Sequence, residues 1–314
     1  MQIFKSLDEI RIENNTAIAL GNFDGVHLGH QEILYDAINA ARCNRLKSVC
    51  FTFSNHPANV ITGRNENDSD ALKLICSEER KVKIIESMGF DYLVSIPFNY
   101  ELMSMSALDF FNILKKAKAK VVSVGFNYTF GAKASGNAEL LYRLGNQNGI
   151  EVHVHDAVKV DHQIVSSSII REKIIDGDMG AVTAFLGRPY SFSGVIEHGK
   201  SVGAANGVPT INIKVANNRV IPPVGVYCGY VVLDDSRYYC VINLGHQPTF
   251  NGKQLKIEAH LFDYKGDAYG KQITIYFVDF IRPEIKFEDS VSLYNQISED
   301  CEIAKKLLDI EPLV

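Results

Sequence analysis

No run in these 314 residues approaches the ~18 consecutive apolar side chains that a membrane-crossing helix needs, so no membrane partner is expected. The opening MQIFKSLDEI lacks the apolar core of a secretory signal, which makes a cytoplasmic location the expectation. Basic blocks are missing as well. The 32 Lys and Arg against 37 Asp and Glu leave a formal charge of -5, which argues against a nucleic acid held mainly through its phosphates. The six cysteines, Cys43, Cys50, Cys76, Cys228, Cys240 and Cys301, form no C-x-x-C pair and share no ligand spacing with the nine histidines. Structural zinc is therefore not expected, and the thiols read as reduced packing residues. What is present is ordinary for a globular protein, with 46% hydrophobic and 22% charged residues. The length exceeds the comfortable size of one hydrophobic core, so two domains are expected.

From Thr16 to about Asp156, short β-rich runs alternate with helical patterns: TAIAL (16 to 20), SVCFTF (48 to 53), YLVSI (92 to 96), VVSV (121 to 124) and EVHVH (151 to 155). Between the first two, Leu34, Ala37, Ile38 and Ala41 recur at helical spacing, and 107 to 118 behaves similarly. This βα alternation predicts a parallel sheet covered by helices on both faces. Ligands on such sheets sit beyond the carboxyl ends of the strands, which puts GNFDGVHLGH, directly after the first run, in a functional place. The polar stretch 63 to 70 reads as a mobile loop. After Gly187 the helical period stops, and strand-like segments near 191 to 198, 208 to 215, 224 to 233, 237 to 244, 256 to 262 and 272 to 281 predict a small antiparallel barrel. A last helix with Tyr294, Ile297, Cys301, Ala304 and Leu308 on one stripe is expected to pack on it. The domain boundary falls near 183 to 190, dividing the chain into 1–183 and 184–314.

GVIEHGKS, Gly194 to Ser201, satisfies the phosphate-loop pattern G-x-x-x-x-G-K-[ST] at every fixed position. That pattern works when the loop joins a buried strand to a helix whose N-terminal amides hold the phosphates. Here Gly203, Gly207 and Pro209 follow within nine residues, so no helix can start. The loop is expected to join strand to strand, and the match is coincidental. A loop with Gly199, Lys200, Gly203 and Gly207 can still meet phosphate in another architecture.

Three other stretches carry chemistry. In GNFDGVHLGH, His27 and His30 stand at the start of the first helix, near its positive end, where both imidazoles could meet a triphosphate. Gly25 permits close backbone approach, and Asn22 and Asp24 are polar groups at the strand's end. In VSSSIIREK, Ser167 and Ser168 precede a helical run carrying Arg171 one turn on, a second phosphate clamp or simply a cap. In GFNYTFG, Phe126, Tyr128 and Phe130 are either core or a wall for a planar ligand.

Together these motifs resemble the prokaryotic bifunctional riboflavin kinase/FMN adenylyltransferase family. The resemblance runs through GNFDGVHLGH, FTFSNHP, VGFNYTFG and VSSSIIRE, then through LGRPYSFSG, HGKSVGAANGVPTIN, PPVGVY, NLGHQPTF, IEAHLFD and FIRPEIKF. It implies an α/β Rossmann-like nucleotidyltransferase domain followed by a six-stranded antiparallel β-barrel domain. ATP is the implied co-substrate of two steps, riboflavin to FMN and FMN to FAD, with Mg²⁺ as cofactor. Asn22, His56, Pro57 and Asn127 fall in the implied flavin and ATP region, and Arg282 in FIRPEIKF among the binding residues. HGKSVGAANGVPTIN takes the place of a loop that covers ATP phosphates, and Pro209-Thr210-Ile211-Asn212 that of the family's PTAN motif. Thr210 and Asn212 share a face of an extended strand, so a hydroxyl and an amide oxygen can jointly reach Mg²⁺. Glu258 in IEAH matches the catalytic glutamate, the base for riboflavin's 5′-hydroxyl. Ser168 stands where threonine is common, Ile169 and Thr129 where arginine is frequent, Ile211 for the PTAN alanine, and Ala268 for a leucine. The rivals are another nucleotidyltransferase with an accessory barrel, against which PTIN and IEAH speak, and a flavin-binding regulator without turnover, against which the retained His27, His30, Thr210, Asn212 and Glu258 speak.

If GVIEHGKS is no phosphate loop of the strand-to-helix kind, Lys200→Ala weakens ATP use in the kinase step only moderately, about tenfold or less in kcat/KM. Steady-state kinetics with ATP varied checks it; loss of both activities in a folded protein would restore the phosphate-loop reading.

Overall fold

A computed structural model describes residues 1–197, 210–249, 252–264 and 266–310. By its internal contacts the chain divides into two compact units, Met1–Ser167 and Ser168–Val314. The first contains β1 (Gln2–Phe4), β2 (Thr16–Leu20), β3 (Lys47–Phe53), β4 (Tyr92–Ile96), β5 (Ala119–Gly125), a ribbon of β6 (Thr129–Phe130) and β7 (Gly136–Asn137), then β8 (Glu151–His155) and a second ribbon, β9 (Lys159–Val160) with β10 (Gln163–Ile164). Six strands form one parallel sheet in the order β1-β4-β3-β2-β5-β8. Every residue of β2 is buried, as a strand covered on both faces must be. The strand order reverses at β2, so the chain leaves the sheet at its switch point straight into GNFDGVHLGH.

Helices α1 (Leu28–Asn44), α2 (Pro57–Ile61), α3 (Glu78–Ser87), α4 (Tyr100–Ser104), α5 (Ala107–Lys116) and α6 (Ala138–Asn148) fill the crossovers. The expected stripe on α1 is the face that packs: Leu34, Ala37, Ile38 and Ala41 are all buried. Side chains of Ser77, Ser106 and Asn137 cap α3, α5 and α6 by accepting a backbone amide, which satisfies donors the helices leave open. The strands of the parallel sheet fall where the alternation placed them, with one addition. The three residues of β1 pair with the edge of β4, too short a run to stand out as a pattern. The stretch expected to be a mobile loop is pinned at several points: Arg64 Nε donates to Asp70 at 2.8 Å, and the Asn65 amide to Asp68 at 2.8 Å.

In the second unit, α7 (Ser167–Asp176) and α8 (Met179–Leu186) lead into β11 (Tyr190–Val195), β12 (Thr210–Lys214), β13 (Gly225–Leu233), β14 (Ser236–Thr249), β15 (Gly252–Leu261) and β16 (Gln272–Arg282). All pair antiparallel in the order β11-β16-β13-β14-β15-β12, and the sheet curls until Glu197, just past β11, bridges Asn212 on β12. Register shifts on β13 at Val226/Tyr227 and Cys228/Gly229 bend it against β16. At Gly229 any Cβ would collide with the Tyr276 carbonyl, so only glycine lets the strands close there. Tyr190, Phe192, Tyr227 and Phe277 pack edge to face in the interior. The final helix α9 (Ser290–Leu307) starts from Asp289, whose side chain accepts the Ser292 amide.

Residues 183 and 184, where the sequence reading divides the domains, lie inside α8, which buries Met179, Val182, Phe185 and Leu186 and contacts β11 and β16. A fragment beginning at Ala184 loses Met179 and Val182 from that contact. It is expected to be less stable than one beginning at Ser168 by roughly 3 to 5 kcal/mol, read from urea midpoints.

Candidate functional site

The turn after β2 is built under backbone strain. Phe23 and Val26 take positive φ, 51° and 42°, conformations that cost such residues about 1–3 kcal/mol each. Their complete burial beside Leu34, Cys50 and Leu93 offsets that cost. Gly25 has φ 79°, and a Cβ there would meet the Ile75 side chain at 2.8 Å. The turn delivers His27 as the cap of α1, its Nδ1 accepting the His30 amide at 3.3 Å. That bond leaves the Nε2 of a neutral His27 ring as its donor. The two imidazoles stack at 3.5 Å between centroids, and Phe23 meets the His30 ring edge-on at 5.3 Å. Two stacked imidazoles thus stand at the positive end of a 17-residue helix, where the sequence places a candidate anion site.

The other expected residues of this unit take differing positions. The Asp24 carboxylate, buried at 5% exposure, accepts the amides of Ile75 at 3.1 Å and Cys76 at 3.3 Å, so it shapes the turn. Ser167 Oγ donates to the Asp24 carbonyl at 3.2 Å. His56 caps α2 through Nδ1, which accepts the Ala58 amide, and Pro57 fills the first helical position, where no amide is needed. The Asn22 carbonyl accepts from Thr52 Oγ1 at 2.8 Å. Of the aromatics left open by the sequence, Tyr128 and Phe130 stack in the core and Phe126 is 53% exposed; Asn127 beside it is exposed too. Ser168 and Arg171 lie in the first turns of α7 and count, by contacts, with the second unit.

In the barrel, strand pairing assembles the site. Glu258 on β15 lies between Asn212 on β12 and Asn243 on β14, and one row on, His260 lies between Thr210 and Val241. Thr210, Asn243, Glu258 and His260 line a cavity of about 380 Å³. Asn212, 3% exposed, has its Oδ1 buried without a hydrogen-bond partner. An amide oxygen in that condition costs stability, which marks it for a donor or cation that completes the site. Burial raises the Glu258 carboxyl above the ordinary glutamate range, and Lys256 partly reverses this. Arg282 reaches the cavity as half of an ion pair: Nε and NH2 donate to the two Asp300 oxygens at 2.8 and 2.7 Å.

The stripe on α9 divides. Cys301, Ala304 and Leu308 pack on the barrel, whereas Tyr294, Ile297 and Asp300 line the cavity. Sequence reasoning missed Asn243, His260 and Asp300. His260 was signalled, since it stands two residues from Glu258 on one strand face. Asn243 and Asp300 come from other elements and carry no local signal. Gly199, Lys200, Gly203 and Gly207 lie outside the described residues, but the flanks are plain: β11 leads in, and Thr210, the next described residue, opens β12.

The FAD synthetase family pattern matches residues 9–169 and the riboflavin kinase pattern residues 186–308. The chain is 34% identical to the bifunctional riboflavin kinase/FMN adenylyltransferase of Bacillus subtilis (strain 168), over 91% of this chain and 90% of that protein. It is 32% identical to the one of Buchnera aphidicola subsp. Acyrthosiphon pisum (strain APS), over 99% of each. A crystal structure of a macrolide-efflux protein from Streptococcus pneumoniae superposes with a TM-score of 0.86 at 29% identity, over 96% of this chain and 98% of that one. The efflux name belongs to that protein; among the described residues here no helix is long and apolar enough to cross a membrane.

The raised Glu258 carboxyl fixes the sign of a stability effect. Below the ordinary glutamate range it is protonated folded or unfolded and the shift contributes nothing; as pH rises through the folded value, ionisation opposes folding. Glu258→Gln is expected to raise the thermal midpoint by a few degrees near pH 8 and by almost nothing near pH 4, measured by circular dichroism.

Proposed function

Because this chain belongs to the bifunctional riboflavin kinase/FMN adenylyltransferase family, we propose that its two reactions are divided between its two units, with named residues for each. The chain uses ATP to phosphorylate riboflavin to FMN and then to adenylylate FMN to FAD, releasing pyrophosphate. The proposed boundary keeps 1–183 for adenylylation and 184–314 for the kinase, with α8 supporting the barrel.

One observation carries the kinase assignment: Glu258, desolvated, faces the cavity between Asn212 and Asn243. Riboflavin's 5′-oxygen attacks the γ-phosphorus of ATP, the bond from that phosphorus to the bridging oxygen breaks, and ADP leaves. Glu258 takes the hydroxyl proton, a role typically worth about 10² to 10⁴ in rate. Its raised pKa brings it closer to the working pH, where a base is most effective. Mg²⁺ suits the donors: Thr210 and the unpartnered Asn212 Oδ1 offer the oxygen ligands a hard cation takes. Bound there with ATP, it would supply charge neutralisation at the phosphates.

Adenylylation is assigned to the turn after β2. A phosphate oxygen of FMN attacks the α-phosphorus of ATP, the bond to the α,β-bridging oxygen breaks, and pyrophosphate leaves. No proton needs to be removed from a phosphate dianion, so the site needs donors for developing charge more than a base. His27 and His30 meet that charge. Asn22, His56, Pro57 and Asn127 form the proposed surroundings, with Arg171 as a further proposed phosphate contact; Asp24, Gly25 and Ser167 give the turn its shape. In the kinase unit, Arg282 and the segment with Gly199, Lys200, Gly203 and Gly207 are proposed to contact substrates. A cytoplasmic location is proposed from the need for ATP at both steps.

Separate half-reaction assays test the division. His30→Ala is expected to cut FMN adenylylation roughly 10² to 10³-fold while riboflavin phosphorylation continues. Glu258→Gln is expected to stop the kinase step while supplied FMN still becomes FAD. Equal loss of both half-reactions in either folded variant would replace two sites with one shared centre.

A further inference from the structure

The carboxyl ends of β2 and β3 are joined by a lysine that the two-site reading leaves without a role. Lys81, in the first turns of α3, is 6% exposed. Its Nζ donates to the carbonyl of Phe53, the last residue of β3, at 2.5 Å, and to that of Asn22, just beyond β2, at 3.4 Å. Thr52 Oγ1 donates to the same Asn22 carbonyl from the other strand. Both carbonyls that hold this ammonium are neutral. For stability alone the arrangement is poor, since a methionine of similar length would fill the space without desolvating a charge. An ammonium also carries three donors, of which the carbonyls take two.

The two segments it joins lead straight to the proposed adenylylation residues. Asn22 opens the strained turn that ends at His27, and Phe53 precedes by three residues His56, the cap of α2. A one-residue rotation of either strand end would move those side chains together with their backbone. The reaction assigned to this place also brings a phosphate dianion against a triphosphate, so like charges must approach. A buried cation in low dielectric acts on such charge more strongly than one in water, and it needs no reorganisation as the reaction proceeds.

We infer that Lys81 is a positioning residue of the adenylylation site, which binds the ends of β2 and β3 into one rim and offsets the repulsion between the flavin phosphate and ATP. The inference rests on the placement of adenylylation at the turn after β2. The full-length protein tests it, through Lys81→Met, which removes the charge, and Lys81→Arg, which keeps it, with FAD formation from FMN and riboflavin phosphorylation measured on the same preparations. Lys81→Met is expected to lower kcat for FAD formation about 10²-fold while KM for ATP changes less than about threefold. Riboflavin phosphorylation should hold within about twofold, and Lys81→Arg should recover FAD formation to within about tenfold of the unaltered protein. Wild-type kcat in folded Lys81→Met overturns the inference, as does a folded Lys81→Arg no more active than Lys81→Met. If Lys81→Met does not fold, Lys81→Arg decides alone: FAD formation within tenfold supports the charge, and a folded variant below that overturns it. His30→Ala run alongside separates the two claims, because undiminished FAD formation there would remove the site from this turn and the inference with it.

Discussion

In the first unit the buried carboxylate of Asp24 accepts the amides of Ile75 and Cys76, and the shape of the histidine turn depends on that contact. The same short segment is held from its other end by Asn59 on α2, which donates to the Leu72 carbonyl at 3.1 Å and accepts the Leu72 amide at 2.8 Å. Asp24 thus ties the histidine turn to a segment that Asn59 ties to the helix capped by His56. Charge-assisted and reciprocal bonds are strong where water is excluded, and that strength holds a turn containing three positive φ angles in one conformation.

The barrel solves a different problem. A kinase base needs to be desolvated and held beside groups that place its substrate, and an antiparallel sheet does both through its period of two. Glu258 and His260 face one way from a strand whose neighbours present Asn212, Thr210 and Asn243 to the same side. The helix α9 completes the cavity, joined to the sheet by the bidentate pair of Arg282 with Asp300, which is 2% exposed. A pair so buried loses much solvation, so its worth lies in fixing where the cavity-lining half of α9 stands.

The two reactions make unlike demands, and the two units answer them unlike. In the proposed division, transfer to a hydroxyl needs a proton acceptor, for which the barrel offers a carboxyl whose affinity for protons burial has raised. Transfer to a phosphate needs none, and there the parallel sheet offers stacked imidazoles at a helix end and a buried ammonium behind the strand ends.

Sequence alone determined the βα alternation, the antiparallel segments and the histidine turn, because each rests on local periodicity or on where glycine and proline stand. The pair Thr210 and Asn212 was legible for the same reason, as residues two apart on one strand. Which polar groups meet a ligand and which meet the protein was not legible. Asp24 and Arg282 read as ligand residues, but nothing local showed that the first also holds backbone amides 51 and 52 residues away and the second an aspartate 18 residues on. Asn243, Asp300 and Lys81 gave no local signal, since each gains its place only when a distant strand or helix is brought alongside. Tertiary structure decided these because burial and hydrogen-bond partnership are properties of the packed chain, set by contacts whose separation along the sequence no short pattern encodes.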